Sequence, residues 1–151
     1  MAEDNPSRDR RAAADLDFSR PNVARVYDAF LGGKDNFAAD REFVARAVEV
    51  APKAPLAARA NRAFLRRVVS YLVGEAGITQ LLDIGSGLPT QGNVSEVAHE
   101  TDPAVHVVHV DNDPVVCAHS RALLADARTI DIVTGTSARP PRSWRIPEFG
   151  P

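Results

Sequence analysis

The chain has 151 residues, of which 44% are hydrophobic and 25% charged, and its formal net charge is -2 at pH 7. These values are typical of one ordinary globular domain, and the charge excludes a general attraction to nucleic acid or to an anionic membrane. The single cysteine, Cys117, excludes an internal disulfide, and the sequence has neither a signal-peptide pattern nor a membrane-length apolar run. We expect a cytoplasmic protein without a nucleic-acid or membrane partner; its oligomeric state is left open.

The first 18 residues are polar, mixed in charge and poor in large apolar side chains. Because they bury too little apolar surface to repay the entropy of ordering, we predict a disordered arm over residues 1–18. Residues 19–78 are predicted to form a helical cover. Its first helix has apolar residues at helical spacing, at Val23, Val26, Tyr27, Phe30 and Leu31. Ser19 is placed near the start of this helix, and Gly32-Gly33 end it.

Two further helices are predicted before any strand. Asn36 is the expected cap of the second, Pro52 and Pro55 end it, and its buried side holds Phe43, Val44, Ala47 and Val48. The third has an apolar stripe of Leu56, Phe64, Leu65, Val68, Val69 and Leu72, and it ends at Gly74 or Gly77. Its four arginines are interpreted as a solvated helix face rather than a polyanion site: Arg59, Arg62, Arg66 and Arg67.

After residue 78, short apolar runs alternate with helical patterns. Residues 80–84 and 105–110 predict two buried strands, and residues 130–133 predict a weaker third. Helices are expected to begin near Asn93 and at Asp113-Pro114. Strands alternating with helices imply right-handed crossovers and a parallel sheet. We therefore predict the α/β class, with N-terminal helices followed by a partial Rossmann-like parallel sheet over residues 79–134.

A glycine-rich turn and an aspartate stand where two neighbouring predicted strands end. The turn is Gly85-Ser86-Gly87, and Asp111 follows Gly85 by 26 residues. Ligands of open α/β sheets bind at this edge, where glycines permit close approach to backbone amides and a carboxylate can accept hydrogen bonds from ribose hydroxyls. A plain tight turn beside an exposed acid is the alternative. The glycine turn, its spacing from Asp111 and the strands before both together favour a nucleoside site. Asn112, which follows Asp111, is included in this site.

The acid before the turn indicates which nucleoside is bound. A dinucleotide fingerprint needs a third glycine, and Thr90 stands in that position. Asp83, two residues before Gly85, would repel a pyrophosphate but would attract the sulfonium and ammonium groups of S-adenosylmethionine. We therefore predict S-adenosylmethionine rather than NAD as the ligand.

Three segments of the chain resemble the S-adenosyl methyltransferase family, a bacterial group first defined as a domain of unknown function. They read YD followed by LGGKDNFAAD from Tyr27 to Asp40, LDIGSGLPTQGN from Leu82 to Asn93, and VDNDPVV from Val110 to Val116. The resemblance spans about residues 20–128. It implies three strands of a class I methyltransferase fold under a helical cover, with cofactor contacts at Asp83, Gly85, Ser86, Gly87, Asp111 and Asn112.

The turn after the first helix is a second candidate region. Gly32-Gly33 permit a sharp turn that presents Lys34, Asp35 and Asn36, although a plain helix connection is equally consistent with this composition. The resemblance implies that Tyr27, Gly33 and Asp35 lie near cofactor or substrate. Lys34 lacks the frame of a phosphate-binding loop.

The remaining polar candidates predict no metal site. His106 and His109 are three apart on a strand and face opposite sides of the sheet, while Cys117 and His119 do not align on a helix. Cys117 is interpreted as a small core residue.

The sequence departs from the family near its end. From Thr134 it becomes proline-rich and aperiodic, where the resemblance implies another strand end, a helix and a fourth strand. Only the N-terminal half of the family is therefore matched, and we hypothesise a frameshifted or truncated gene with a non-native tail over residues 135–151. The cut would leave the strand at residues 81–84 as an unpaired apolar edge, and little or no methyl transfer by the chain alone is expected.

Two other functions are consistent with the sequence. One is a non-catalytic module that binds a nucleoside or a partner, and the other is an NAD-binding oxidoreductase, which Thr90 disfavours. Whether the chain is itself an enzyme, its methyl acceptor and any general base are left open.

Overall fold

A computed structural model describes residues 18–90, 92–124 and 128–136. Three helices come first, α1 (Val23–Leu31), α2 (Ala38–Val50) and α3 (Ala54–Gly74). Strands and helices then alternate as β1 (Gln80–Ile84), α4 (Val94–Thr101), β2 (His106–Asp111), α5 (Pro114–Leu124) and β3 (Ile130–Thr134). The predicted α/β class, with helices followed by a three-stranded parallel sheet, is confirmed. Residues 1–17 of the predicted arm and residues 137–151 of the predicted tail lie outside the described residues.

The sheet has the order β1-β2-β3, and both pairings are parallel. Leu82 stands opposite Val108 and Ile84 opposite Val110, so both strands end at one edge with Asp111 beside the turn after β1. One face of the sheet carries the core, which joins Val107 to side chains of α3 and α4. The core members are Val69, Val73, Val94, Val97, Ala98, Val105 and Val107.

Helix starts agree with the sequence in the sheet region and differ in the cover. Asn93 and Asp113 cap α4 and α5, because their side chains accept hydrogen bonds from the backbone amides of Glu96 and Val115. In the cover, α1 is capped by Asn22, whose side chain accepts from the amides of Ala24 and Arg25. The expectation of a start near Ser19 was therefore wrong.

The second helix begins after Phe37, and Asn36 does not cap it. The Asn36 side chain instead donates to Asp28 Oδ2 at 2.9 Å and to the Gly33 carbonyl at 2.9 Å. The side-chain amide of Asn36 thus closes the turn after α1. The sequence around an asparagine does not show whether its side chain will cap a helix or close a turn. Pro55 does not terminate α2 but stands in the first turn of α3, where a missing N–H costs nothing.

Burial in the cover also differs from the predicted stripes. Leu56 and Phe64 are 64% and 57% exposed, and Phe43 is exposed as well. The one fully buried side chain of α2 is Asp40, which forms an ion pair with the buried Arg25 at 2.8 Å. Of the predicted inner face of α2, Val44, Ala47 and Val48 are partly buried and Phe43 is not. The contact that hydrophobicity did not predict is the polar one, between Asp40 and Arg25 of α1. Within the described ranges, no helix is both long and apolar enough to cross a membrane.

Candidate functional site

The turn after β1 contains two glycines with left-handed backbone angles. Gly85 has φ 76° and Gly87 has φ 68°, a region that other residues enter only with strain. A Cβ atom added at either position would meet no atom within 4 Å. The glycines are therefore required by the backbone conformation, and they leave open space in which a ligand can approach the chain.

The amides of this turn all have partners inside the protein. Gly85 and Ser86 donate to the Val110 carbonyl at 2.7 and 3.2 Å, and Gly87 donates to Asp111 Oδ2 at 2.9 Å. The expectation that the turn offers free amides to a ligand does not agree with this geometry. These bonds instead extend the contact between β1 and β2 beyond the strands and fix the turn against Asp111.

Asp111 organises the edge of the sheet from the end of β2. Its Oδ2 accepts from Gly87, and its Oδ1 accepts from the amide of Asp113 at 2.9 Å. A carboxylate oxygen can accept more than one hydrogen bond, so each oxygen keeps capacity for a further donor. Asp111 can therefore hold a ligand hydroxyl while it anchors the turn.

A chain of buried polar groups positions Asp83. Asp83 Oδ2 lies 3.1 Å from His109 Nδ1, and His109 Nε2 lies 3.0 Å from Ser95 Oγ. Ser95 in turn donates to Asn93 Oδ1 at 2.8 Å. His109 and Ser95 are 3% and 1% exposed. Because such groups are costly to bury unless they are bonded, the chain fixes the orientation of the Asp83 carboxylate.

The cover is joined to the sheet above this edge. Asn22 Nδ2 donates to Asp113 Oδ2, which connects the start of α1 to the start of α5. Tyr27 of α1 donates to the Ala58 carbonyl of α3 at 3.3 Å, and Asn61 donates to the Tyr27 hydroxyl at 3.1 Å. The edge of the sheet is thereby roofed by α1 and α3.

A cleft of about 530 Å³ lies between this roof and the sheet. Its size is that of a small-molecule site. Seven of the nine predicted site residues line it: Tyr27, Asp83, Gly85, Ser86, Gly87, Asp111 and Asn112. The lining carries four carboxylates and one guanidinium, from Asp28, Asp83, Asp111, Asp113 and Arg62. We call this space the acidic cleft.

The other two predicted residues, Gly33 and Asp35, do not line the acidic cleft. They line a neighbouring cavity of about 640 Å³ beside α3. Asp28, Arg62 and Thr90 line both spaces. The turn after α1 and the turn after β1 therefore belong to two adjoining pockets rather than to one.

The sequence interpretation did not select several residues of the cleft as site residues. Asp28 stood within a resembling segment without a role, Arg62 was assigned to a solvated face, and His109 was considered only as a metal ligand. Arg62 has its guanidinium 5.6 Å from the Tyr27 ring centre and donates to the Gly92 carbonyl at 3.3 Å. The position of Arg62 close to the apolar stripe of α3 was the sequence signal that could have indicated a place in the cleft.

In the described parts of the chain, no group of three or more His, Cys, Asp or Glu side chains is placed to hold a metal ion. Cys117 is buried, and its thiol donates to the Asp111 carbonyl at 3.4 Å.

Comparison with known proteins identifies relatives of the chain. A family model described as S-adenosyl methyltransferase matches residues 9–148. The crystal structure of a proposed methyltransferase from Thermobifida fusca YX has 52% identity and a TM-score of 0.75, covering 79% of this chain and 45% of that one. A DUF574 family protein from Streptomyces avermitilis MA-4680 has 40% identity and a TM-score of 0.71, covering 80% and 46%.

This chain thus spans less than half the length of either crystallised protein. No curated protein matches it. The family model covers nearly the whole sequence, and the fold has the helices and parallel sheet of the two crystallised proteins. The chain therefore belongs to the S-adenosyl methyltransferase family.

Proposed function

We propose that the acidic cleft binds S-adenosylmethionine as the cofactor site of a methyltransferase. The observation that carries the proposal is the charge of the lining, in which four carboxylates face one guanidinium. Such a surface attracts a ligand with a sulfonium and an ammonium group and repels a pyrophosphate. This argument is independent of the family match and agrees with it.

The residues of the cleft fit this cofactor. The open space at Gly85 and Gly87 allows a ligand to lie against the turn, and Asp111 keeps acceptor capacity for ribose hydroxyls. Asp83 presents a carboxylate whose direction His109 fixes. Asp83, Gly85, Gly87 and Asp111 are thus the residues that we propose hold the cofactor, with Ser86 and Asn112 beside them.

When bound, S-adenosylmethionine supplies a methyl group on a cationic sulfur. The residues of this chain contribute binding and orientation, because Tyr27 and Asn61 connect the two roof helices and fix the wall of the cleft. Positioning of this kind accounts for much of the acceleration in a direct displacement. We assign no general base.

Ligand-dependent thermal stability tests the cofactor. We expect S-adenosylhomocysteine to raise the Tm of the purified chain, and NAD and ATP to leave it unchanged at equal concentration, because only a ligand bound by the folded state stabilises it. Isothermal titration calorimetry supplies the Kd. A larger shift with NAD than with S-adenosylhomocysteine would contradict the proposal and favour an oxidoreductase.

We further propose that this chain binds the cofactor but transfers methyl groups poorly by itself. The sheet described here leaves one edge of β1 unpaired, and both crystallised relatives are more than twice as long as the segment they share with this chain. Mass spectrometry of candidate acceptors incubated with the chain and the cofactor checks this. Steady turnover by the 151-residue chain would overturn it.

A further inference from the structure

The cavity that adjoins the acidic cleft has the opposite charge. Its lining includes four cationic side chains, Lys34, Arg59, Arg62 and Arg66, and two carboxylates, Asp28 and Asp35. We call it the basic cavity. Its three arginines are spaced by three and four residues on α3, so they lie on one face of that helix.

These cations are not consumed by partners within the protein. In the described ranges, the side chains of Lys34 and Arg59 form no hydrogen bond or ion pair. Arg66 pairs with the exposed Glu100, and Arg62 uses one terminal nitrogen on the Gly92 carbonyl. The basic cavity therefore retains donors that can bind an anion.

The wall between the two pockets contains two buried polar atoms without partners. Asp28 is 1% exposed and its Oδ1 accepts no hydrogen bond, while its Oδ2 accepts from Asp35 and Asn36. Arg62 Nε is buried and donates to no acceptor among the described residues. Buried polar atoms without partners are rare and costly. Both residues line the two pockets. A ligand with an anionic group and a hydroxyl or amino group would supply the missing acceptor and the missing donor once these side chains turn toward it.

We infer that the basic cavity is the methyl-acceptor subsite and that it binds a small acid, a carboxylate or phosphate bearing a hydroxyl or amino group. The inference rests on the proposed function, because it takes the acidic cleft as the cofactor site. Asp28, Arg62 and Thr90 line both spaces, so a molecule in the basic cavity borders the cofactor directly. The acidic cleft thus attracts the cationic cofactor, and the adjoining basic cavity attracts the anionic acceptor.

Anion titration of the intact 151-residue chain tests the subsite. Inorganic phosphate and acetate are added separately at constant ionic strength, and the Nε–Hε signals of the arginines are followed by NMR. We expect saturable binding by at least one probe, with a Kd on the order of 1 mM, and the largest shifts at Arg59 and Arg62. The probe that binds more tightly distinguishes phosphate from carboxylate acceptors.

The variant Lys34→Gln/Arg59→Gln removes the two cations that lack partners. It should weaken anion binding by at least about tenfold, because each lost charged contact is worth about that factor. Arg67→Gln is the matched control, since Arg67 lies on the same helix, outside the lining of the basic cavity, with its guanidinium over the Phe64 ring. It should change the Kd by less than about twofold. Equal losses in both variants, or no saturable binding in the parent chain, would overturn the inference.

The same samples are titrated with S-adenosylhomocysteine, which separates the two possible failures. If it binds while neither anion does, the acceptor subsite is wrong and the cofactor site stands. If the anions bind and S-adenosylhomocysteine does not, the proposed function fails, and with it the role of the basic cavity as an acceptor subsite. If both ligands bind the parent chain and only the anion is weakened in Lys34→Gln/Arg59→Gln, the inference is supported.

Discussion

At the scale of single residues, Gly33 is required by close packing rather than by its backbone angle. A Cβ atom there would lie 2.0 Å from Asp28 Oδ1 and 2.5 Å from Asp28 Cγ. Its neighbour Gly32 has φ 82° and open space around it. Glycine is thus required at position 32 by the backbone angle and at position 33 by the lack of space for a side chain. The absence of a side chain at Gly33 allows the Asp28 carboxylate to lie between the two pockets.

We expect Gly33→Ala to destabilise the chain by about 2–3 kcal/mol, because Asp28 must move and give up its bonds to Asp35 and Asn36. Urea unfolding followed by circular dichroism measures the loss. Gly32→Ala is the matched control and should cost only about 1 kcal/mol of backbone strain. A smaller loss at position 33 than at position 32 would contradict this account.

Asp111 provides a second prediction at the same scale. Asp111→Asn replaces one acceptor oxygen by a donor that faces the amide of either Gly87 or Asp113. The turn should loosen, and the Kd for S-adenosylhomocysteine should rise by at least about tenfold, since charge-assisted hydrogen bonds are the stronger kind. Calorimetry measures the Kd. Asp131→Asn removes an exposed carboxylate of β3 as a control, and an unchanged Kd in Asp111→Asn would refute our placement of the cofactor.

At the scale of elements, one carboxylate holds the cover together. Asp40 of α2 accepts from the backbone amides of Asn22 and Phe37 and from Arg25 Nε, at distances of 2.8 to 2.9 Å. Burial raises the pKa of Asp40, but these donors and the charge of Arg25 outweigh it and hold the pKa below the ordinary value of 3.8. The junction of α1 and α2 therefore depends on an ionised Asp40.

The sign of the pH dependence follows from this lowered pKa. Because the folded state binds the Asp40 proton less tightly than the unfolded state, this stabilisation is present above pH 3.8 and is lost as the pH falls through the lower folded value. Asp40→Asn should cost about 3–5 kcal/mol near neutral pH, since it leaves Arg25 buried without its counter-charge. In Asp40→Asn, the free energy of unfolding should also fall less steeply as the pH is lowered.

Urea unfolding between pH 2 and 7, a range that includes the ordinary aspartate pKa of 3.8, measures both effects. Glu42→Gln changes an exposed acid of the same helix and serves as the control. Parallel pH profiles for the parent chain and Asp40→Asn would show that Asp40 does not carry this dependence.

At the scale of the whole molecule, one face of the sheet is incompletely covered. Leu82 and Ile84 are 44% and 50% exposed, and no described strand pairs with the second edge of β1. Parallel sheets are normally buried on both faces, and free apolar edges promote association. Among the described residues, this face thus presents an apolar surface that favours contact with further polypeptide.

We expect the purified chain to elute in size-exclusion chromatography with light scattering as species larger than a monomer. Leu82→Thr/Ile84→Thr should shift it toward the monomer by reducing the exposed apolar area. Val50→Thr, at the exposed end of α2, is the control and should leave the elution unchanged. A parent chain that is monomeric at all concentrations would show that this face is inert.

The sequence by itself determined the parts that local chemistry controls. The strand at residues 80–84, residues 130–133 of the third strand, the caps at Asn93 and Asp113, and the glycine turn before Asp111 follow from propensity and from the spacing of near neighbours. Motifs of this length also sufficed to indicate the family. The fold class and the approximate position of the cleft could therefore be predicted without coordinates.

Only the tertiary structure decided which side chains meet across distant segments. It buried Asp40 with Arg25 where the periodicity of α2 indicated Phe43, and it placed Gly33 and Asp35 in a second pocket of opposite charge. It also used the amides of the glycine turn within the protein rather than leaving them for a ligand. The reason is that burial, ion pairing and pocket charge depend on which elements pack together, and spacing along one helix or strand does not contain that information.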